Sequence, residues 1–281
     1  MKTGVGPVET PSGKEAAYEN FPVGSFLLPA ALRPHIAVFY GFARAIDDIA
    51  DNPALSPEDK VARLSLFEAA LLEAAGDDRP GLEKASRMRL SLAATGTTPQ
   101  HCRDLIAAFK QDAVKGRYRD WDDLMGYCRL SAAPVGRYLL DLHGGSADGY
   151  GPSDALCMAL QVINHLQDCA EDYRVLDRVY LPGDWMAEAG VGVEALAAGR
   201  TSPALRGVLE RMLRRTERLL DEADLLPGGL RSRRLAMESA AILAIARRLV
   251  RKLRAGDPLG PRIVLSKIEY IVCLLSGILR R

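Results

Sequence analysis

Residues 152–173 read PSDALCMALQVINHLQDCAEDY. At about 100° per residue, Ala155, Leu156, Met158, Ala159, Leu160, Val162, Ile163 and Leu166 cover most of the circumference, the pattern of a helix buried on nearly all sides. Its polar side chains are confined to one line. Gln161, Asn164, His165, Asp168 and Asp172 fall within roughly 100° of one another by the same helical rule. Buried amides and carboxylates without partners cost several kcal/mol, so the line calls for a polar network between helices or for a cavity holding water or a cation. His165 alone reads as a satisfied core histidine.

From Pro29 onwards the chain alternates Ala/Leu-rich periodic runs with short Gly/Pro/Asp breaks. No run shows the β-branched alternation of strands. The fold class is all-α, a single-domain helical bundle around a central cavity. Helices are predicted over 29–51, 57–75, 80–95, 99–115, 121–144, 152–173, 203–223, 230–255 and 261–279. Pro57, Pro99, Pro152, Pro203 and Pro261 stand near predicted starts, where a missing N–H costs little. Residues 1–18 read as a flexible arm, 19–281 as the folded domain and 173–202 as a long connection.

The chain has 281 residues and a net charge of +1, with 37 basic and 36 acidic side chains. That balance gives no field to gather nucleic acid, and no nucleic-acid partner is expected. Five cysteines, odd in number and without a Cys-x-x-Cys pair, imply reduced thiols and a cytoplasmic setting. The first twenty residues lack a basic region followed by an apolar run. The last apolar run, Ile271 to Leu279 before Arg280-Arg281, is too short to span a bilayer; it reads either as a helix packed on the core or as a peripheral membrane contact.

A second acidic cluster, Asp47-Asp48-Ile49-Ala50-Asp51, closes the first long helix. Ile36, Tyr40, Ala43, Arg44, Asp47 and Asp51 share one stripe, apolar at its start and acidic at its end. Like charges four apart cost an isolated helix roughly 0.2–0.5 kcal/mol per pair, so Asp47/Asp51 and Asp168/Asp172 are easier to understand with a cation beside them. Mg²⁺ bridging to a diphosphate fits, because it takes one or two carboxylates together with substrate phosphates. Standing alone, Asp-Asp-x-x-Asp is also an ordinary helix end fraying into solvent. Cations for a diphosphate lie nearby in sequence at Arg44, Arg178, Arg262 and Lys267.

Taken together these residues resemble the squalene/phytoene synthase family of head-to-head prenyl transferases, over most of the chain from Asn20 to Lys267. The resemblance rests on Arg44 to Asp51, on Tyr127-Cys128 leading through Ala132-Ala133-Pro134-Val135-Gly136, on Gln161-Val162-Ile163-Asn164 with Asp168 to Asp172, and on Arg178-Val179-Tyr180-Leu181-Pro182. It implies the isoprenoid-synthase fold, with Asp47, Asp51, Asp168 and Asp172 as Mg²⁺ ligands and catalytic groups. Tyr127 is implied beside the reacting cation, and Arg44, Gln161, Asn164, Arg178, Tyr180, Arg262, Lys267 and Gly136 in substrate binding. Gly41, Ala132 and Ala133 would line an apolar tunnel.

Within the family, Asn20 to Pro29 and Asn164-His165-Leu166-Gln167-Asp168-Cys169 look like the hopanoid-pathway branch that makes hydroxysqualene from presqualene diphosphate. Phytoene and full squalene synthases generally carry Leu-Arg-Asp where this chain has Leu166-Gln167-Asp168. The implied reaction ionises the diphosphate, rearranges the cation and captures it with water, without a hydride donor. No Gly-x-Gly-x-x-Gly follows a predicted strand. A functional link to other squalene-pathway enzymes is implied as well. Condensation of two farnesyl diphosphates and a non-catalytic scaffold of the same fold stand as alternatives, as does an unrelated helical protein with coincidental acid pairs.

Overall fold

The computed structural model describes residues 8–9, 28–73 and 80–279. The chain divides into two compact units, one of residues 1–24 and 30–114, the other of residues 25–29 and 115–281.

In the first unit, α1 (Arg33–Asp51) starts with Pro34 in its first turn and ends at Asn52, whose extended backbone leads into Pro53. A proline disfavours helical backbone in the residue before it, which fixes this end. Ile36, Phe39, Phe42, Ile46 and Ile49 make its buried stripe. α2 (Pro57–Leu72) is capped by Ser56, whose hydroxyl accepts from the Asp59 N–H at 3.1 Å, with Glu58 and Asp59 on the favourable end of the dipole. α3 (Glu83–Thr95) stops at Gly96, at φ 69°, a backbone that glycine adopts without steric cost. α4 (Gln100–Asp112) completes the unit. The Phe42 and Phe67 rings lie 6.2 Å apart between α1 and α2. Of the stretch 1–18, residues 8 and 9 are described: Val8 is buried and Glu9 pairs with Lys84 at 2.8 Å.

The second unit is built around α7 (Tyr150–Leu176). Against it pack α5 (Trp121–Ser131), α6 (Ala133–Leu142), α9 (Pro203–Ala223) and α11 (Arg233–Ala255). The short α8 (Gly183–Glu188) and α10 (Leu226–Gly229) join these elements, and α12 (Lys267–Leu279) lies on α11. Ser202 and Ser232 cap α9 and α11 through their hydroxyls. Buried Ala155, Leu156, Ala159, Leu160, Val162, Ile163 and Leu166 confirm α7 as a core helix. All five cysteines are free thiols.

The all-α class holds, and two of the predicted helices need correction. The helix predicted over 121–144 is two, broken at Ala132, because Pro134 cannot donate a helical hydrogen bond and instead occupies the first turn of α6. The helix predicted from Pro261 begins only at Lys267: residues 262–266 are irregular, and Ser266 accepts from the Glu269 N–H as a capping residue does. Two short parallel strands, β1 (Arg117–Tyr118) and β2 (Val179–Pro182), pair at Arg117 and Val179. β1 is too short to show a period of two in sequence, and β2 is buried at all four of its residues.

Candidate active site

In the first unit, the last two turns of α1 bring together Arg44, Asp47, Asp48 and Asp51. Arg44 forks between two carboxylates, Nη1 to Asp47 Oδ2 and Nη2 to Asp48 Oδ1, both at 2.9 Å. The spacings of three and four residues put all three groups on neighbouring positions of the helix surface. Asp48 is buried, whereas Asp47 and Asp51 stay half-buried and accessible. A Cβ on Gly41 would meet nothing within 4 Å among the described residues, so the helix presents an open surface nearly two turns before Asp47.

In the second unit, α7 keeps the polar line expected of it, with one exception. Gln161, Asn164, Asp168 and Asp172 are half-buried on a helix otherwise largely sealed, whereas His165 is buried. The His165 ring stacks on Tyr180 at 3.7 Å between centroids. Tyr127 lies 6.0 Å from it and 5.5 Å from Tyr180, and Tyr118 lies 5.4 Å from Tyr127. Burial, assisted by the Arg178 guanidinium, pulls the His165 pKa down to about 3, so the imidazole is neutral. Its Nε2 has no hydrogen-bond partner among the described residues. Tyr127, Arg178 and Tyr180 are buried in this unit; Arg178 lies on the turn that follows α7, where its N–H donates to the Asp172 carbonyl at 3.1 Å, and Tyr180 on β2 directly after it.

Asp168 is gripped by Arg262: Nε donates to Oδ1 at 2.6 Å and Nη2 to Oδ2 at 2.9 Å. One residue along on each element, the buried Gln167 side chain donates to the Ile263 carbonyl. Asp257, which accepts from the Thr201 N–H at 3.0 Å, and Arg206, which donates to the Gly256 carbonyl at 2.6 Å, hold the start of the same segment. Residues 256–266 are thus tied down at both ends although they carry no regular structure.

Sequence reasoning did not find the Gln167–Ile263 tie, the burial of Asp48 or the place of Tyr118 against Tyr127. Only Asp48 carried a signal, its four-residue spacing from Arg44. Lys267 is exposed at the start of α12. Gly136 sits at a helix crossing, where a Cβ would come within 2.3 Å of Ser153 Oγ and 2.7 Å of Cys157 Sγ; its lack of a side chain lets α6 close on α7.

Among the described residues no three His, Cys, Asp or Glu side chains converge as a complete metal site. The donors nevertheless suit a hard cation: Asp47/Asp51 and Asp168/Asp172 each supply carboxylate oxygens only, at an accessible surface. Mg²⁺ commonly takes one or two carboxylates and fills its remaining positions with water and substrate phosphates. The residues fit that mode and not an all-protein cage.

Residues 15–269 match the family described as squalene/phytoene synthase. A hydroxysqualene synthase of Rhodopseudomonas palustris is 44% identical over 277 residues, covering 97% of this chain and 94% of the relative. Another, of Sinorhizobium fredii, is 40% identical, covering 97% and 91%. Among solved structures, the squalene synthase HpnC of Alicyclobacillus acidocaldarius superposes with a TM-score of 0.76 at 31% identity, covering 87% of this chain and 90% of that one. The chain belongs to the squalene/phytoene synthase family.

Proposed function

We propose that the chain converts presqualene diphosphate and water into hydroxysqualene and diphosphate. The observation that carries the reading is the open line Gln161, Asn164, Asp168 and Asp172 on a helix buried elsewhere, in a chain similar over nearly its whole length to hydroxysqualene synthases. Mg²⁺ ions held by the pairs Asp47/Asp51 and Asp168/Asp172, each within its own unit, would supply Lewis-acid stabilisation of the leaving diphosphate. Arg44, Arg178, Arg262 and Lys267 would bind its oxygens, arginine doing so as a two-pronged donor. Gln161 and Asn164 would orient the substrate. Tyr127 and Tyr180 offer aromatic faces for developing positive charge. The neutral His165 behind them adds none that would oppose it.

Gln167 favours this reaction over condensation of two farnesyl diphosphates. It is uncharged and turned inward to the Ile263 carbonyl, so it offers a diphosphate no positive group. The test is to incubate the protein with Mg²⁺ and either presqualene diphosphate or farnesyl diphosphate, without reductant, and to identify products by mass spectrometry. Hydroxysqualene from presqualene diphosphate alone is the expected result. Consumption of farnesyl diphosphate would replace the reading with a condensing synthase, and inertness to both with a scaffold.

A peripheral lipid contact belongs to the same proposal. Among the described residues no helix is long and apolar enough to cross a membrane. On α12, however, Ile268, Ile271, Val272, Leu275 and Leu279 are each more than half exposed, and their spacing puts them on one stripe. Arg251 and Lys267 are exposed nearby, and Arg248 and Lys252 share the single carboxylate of Glu269. A helix this long covers roughly 200 Å², far below the ~800 Å² per partner of a stable protein interface. An anionic lipid surface suits an apolar stripe with basic edges.

A further inference from the structure

Each aspartate pair carries its own guanidinium within its own unit: Arg44 on Asp47 and Asp48, and Arg262 on both oxygens of Asp168. The Arg262 contact occupies its carboxylate more fully, because a parallel two-bond pair uses both carboxylate oxygens and sets a positive charge against them. A metal cation approaching Asp168 therefore meets a group of its own sign already seated on its ligand. No third acidic or imidazole side chain among the described residues adds to the pair to outweigh that opposition.

We propose that Arg262 and the metal compete for Asp168, and that diphosphate resolves the competition by giving Arg262 an alternative partner. Metal binding is then conditional on diphosphate. The inference rests on the reading of Asp168 as a metal ligand. A diphosphate accepts a guanidinium fork as well as a carboxylate does, so its arrival frees Asp168 and supplies further oxygens to the metal. Only the side chain has to move. Gln167 holds the next backbone carbonyl, that of Ile263, to α7, and Arg206 and Asp257 hold the beginning of the segment, so Arg262 pivots on a fixed stem. Coupling between two ligands is reciprocal, so metal tightens diphosphate by the same factor. The consequence is an enzyme that takes up metal at Asp168 only weakly until a diphosphate is present to be ionised.

The test measures binding of Mn²⁺ by electron paramagnetic resonance, with Mn²⁺ alone and with inorganic diphosphate added. Wild type should bind Mn²⁺ alone weakly and gain roughly 5- to 150-fold in affinity with diphosphate, the usual range of such coupling. Arg262→Ala should bind Mn²⁺ alone at least about fivefold more tightly than wild type and lose most of the gain from diphosphate. Arg262→Lys, which keeps the charge without the fork, should fall between the two and serves if the alanine variant does not fold. Unchanged or weakened Mn²⁺ binding in folded Arg262→Ala overturns the proposal. Asp168→Asn tests the underlying reading: if it leaves Mn²⁺ binding in the presence of diphosphate intact, Asp168 is no metal ligand. Turnover of presqualene diphosphate is not part of these readouts, so failure of the proposed reaction leaves the competition to stand or fall by itself.

Discussion

Arg262 holds Asp168 through two hydrogen bonds, 2.6 Å and 2.9 Å long, across 94 positions of sequence. Both side chains are about a quarter exposed. Asparagine keeps the shape of the side chain and one carbonyl acceptor for the Arg262 fork, so the carboxylate is replaceable at small structural cost. Asp168→Asn should melt close to wild type while losing at least about 10²-fold in kcat, the usual loss when one group stabilising a developing charge is removed. A kinetic assay beside a melting curve checks it, and retained turnover would remove Asp168 from the site.

Gln167 is the anchor of the segment that carries Arg262. Its replacement by Leu leaves the Ile263 carbonyl without this donor, at a cost of roughly 1–3 kcal/mol for a buried polar group. Hydrogen exchange should accelerate in residues 257–266 and stay as in wild type in α1. Equal protection of the segment in both proteins would show that Gln167 does not fasten it.

Acid should weaken the fold through His165. Burial lowers its pKa to about 3, against about 6.5 in an unfolded chain. Between those values the unfolded state binds the extra proton, so stability is retained above about pH 6.5 and is lost as pH falls towards 3, at up to about 1.4 kcal/mol per unit. His165→Phe keeps a ring against Tyr180 and cannot titrate. Urea midpoints at pH 7 and pH 5 should fall less for the variant than for wild type; identical falls would mean that His165 does not sense acid.

How far the site could be read from the chain depends on the range of the interactions. The polar line of α7 and the Arg44 fork on α1 lie within single helices, so a 3.6-residue period exposes them. The grip of Arg262 on Asp168 and of Gln167 on Ile263 joins elements more than ninety positions apart, and no local pattern encodes such a pairing. His165 shows the limit within one helix: periodicity puts it on the polar line, but the Tyr127 and Tyr180 rings that meet it arrive from α5 and β2, backed by Tyr118 of β1. Pro134 and Pro261 are the same residue type with opposite outcomes. The first starts α6, whereas the second precedes an irregular segment whose ties to α7, Thr201 and Arg206 determine its path.

Gly277 ties the exposed stripe of α12 to a close helix crossing. A Cβ there would lie 2.3 Å from the Ala241 nitrogen and 2.5 Å from its Cα, backbone atoms that cannot turn aside, so Gly277→Ala should push α12 off α11 at a cost of about 1–3 kcal/mol. Ile271→Ser with Leu275→Ser instead alters only side chains that face away from α11, and surface changes of this kind usually stay within about 0.5 kcal/mol. If the stripe meets lipid, wild type should co-sediment with phosphatidylglycerol vesicles and much less with phosphatidylcholine alone, since the basic edges require an anionic surface. The double serine variant should lose most of that binding at an unchanged melting temperature. Binding equal to wild type would show that the apolar stripe does not make the contact.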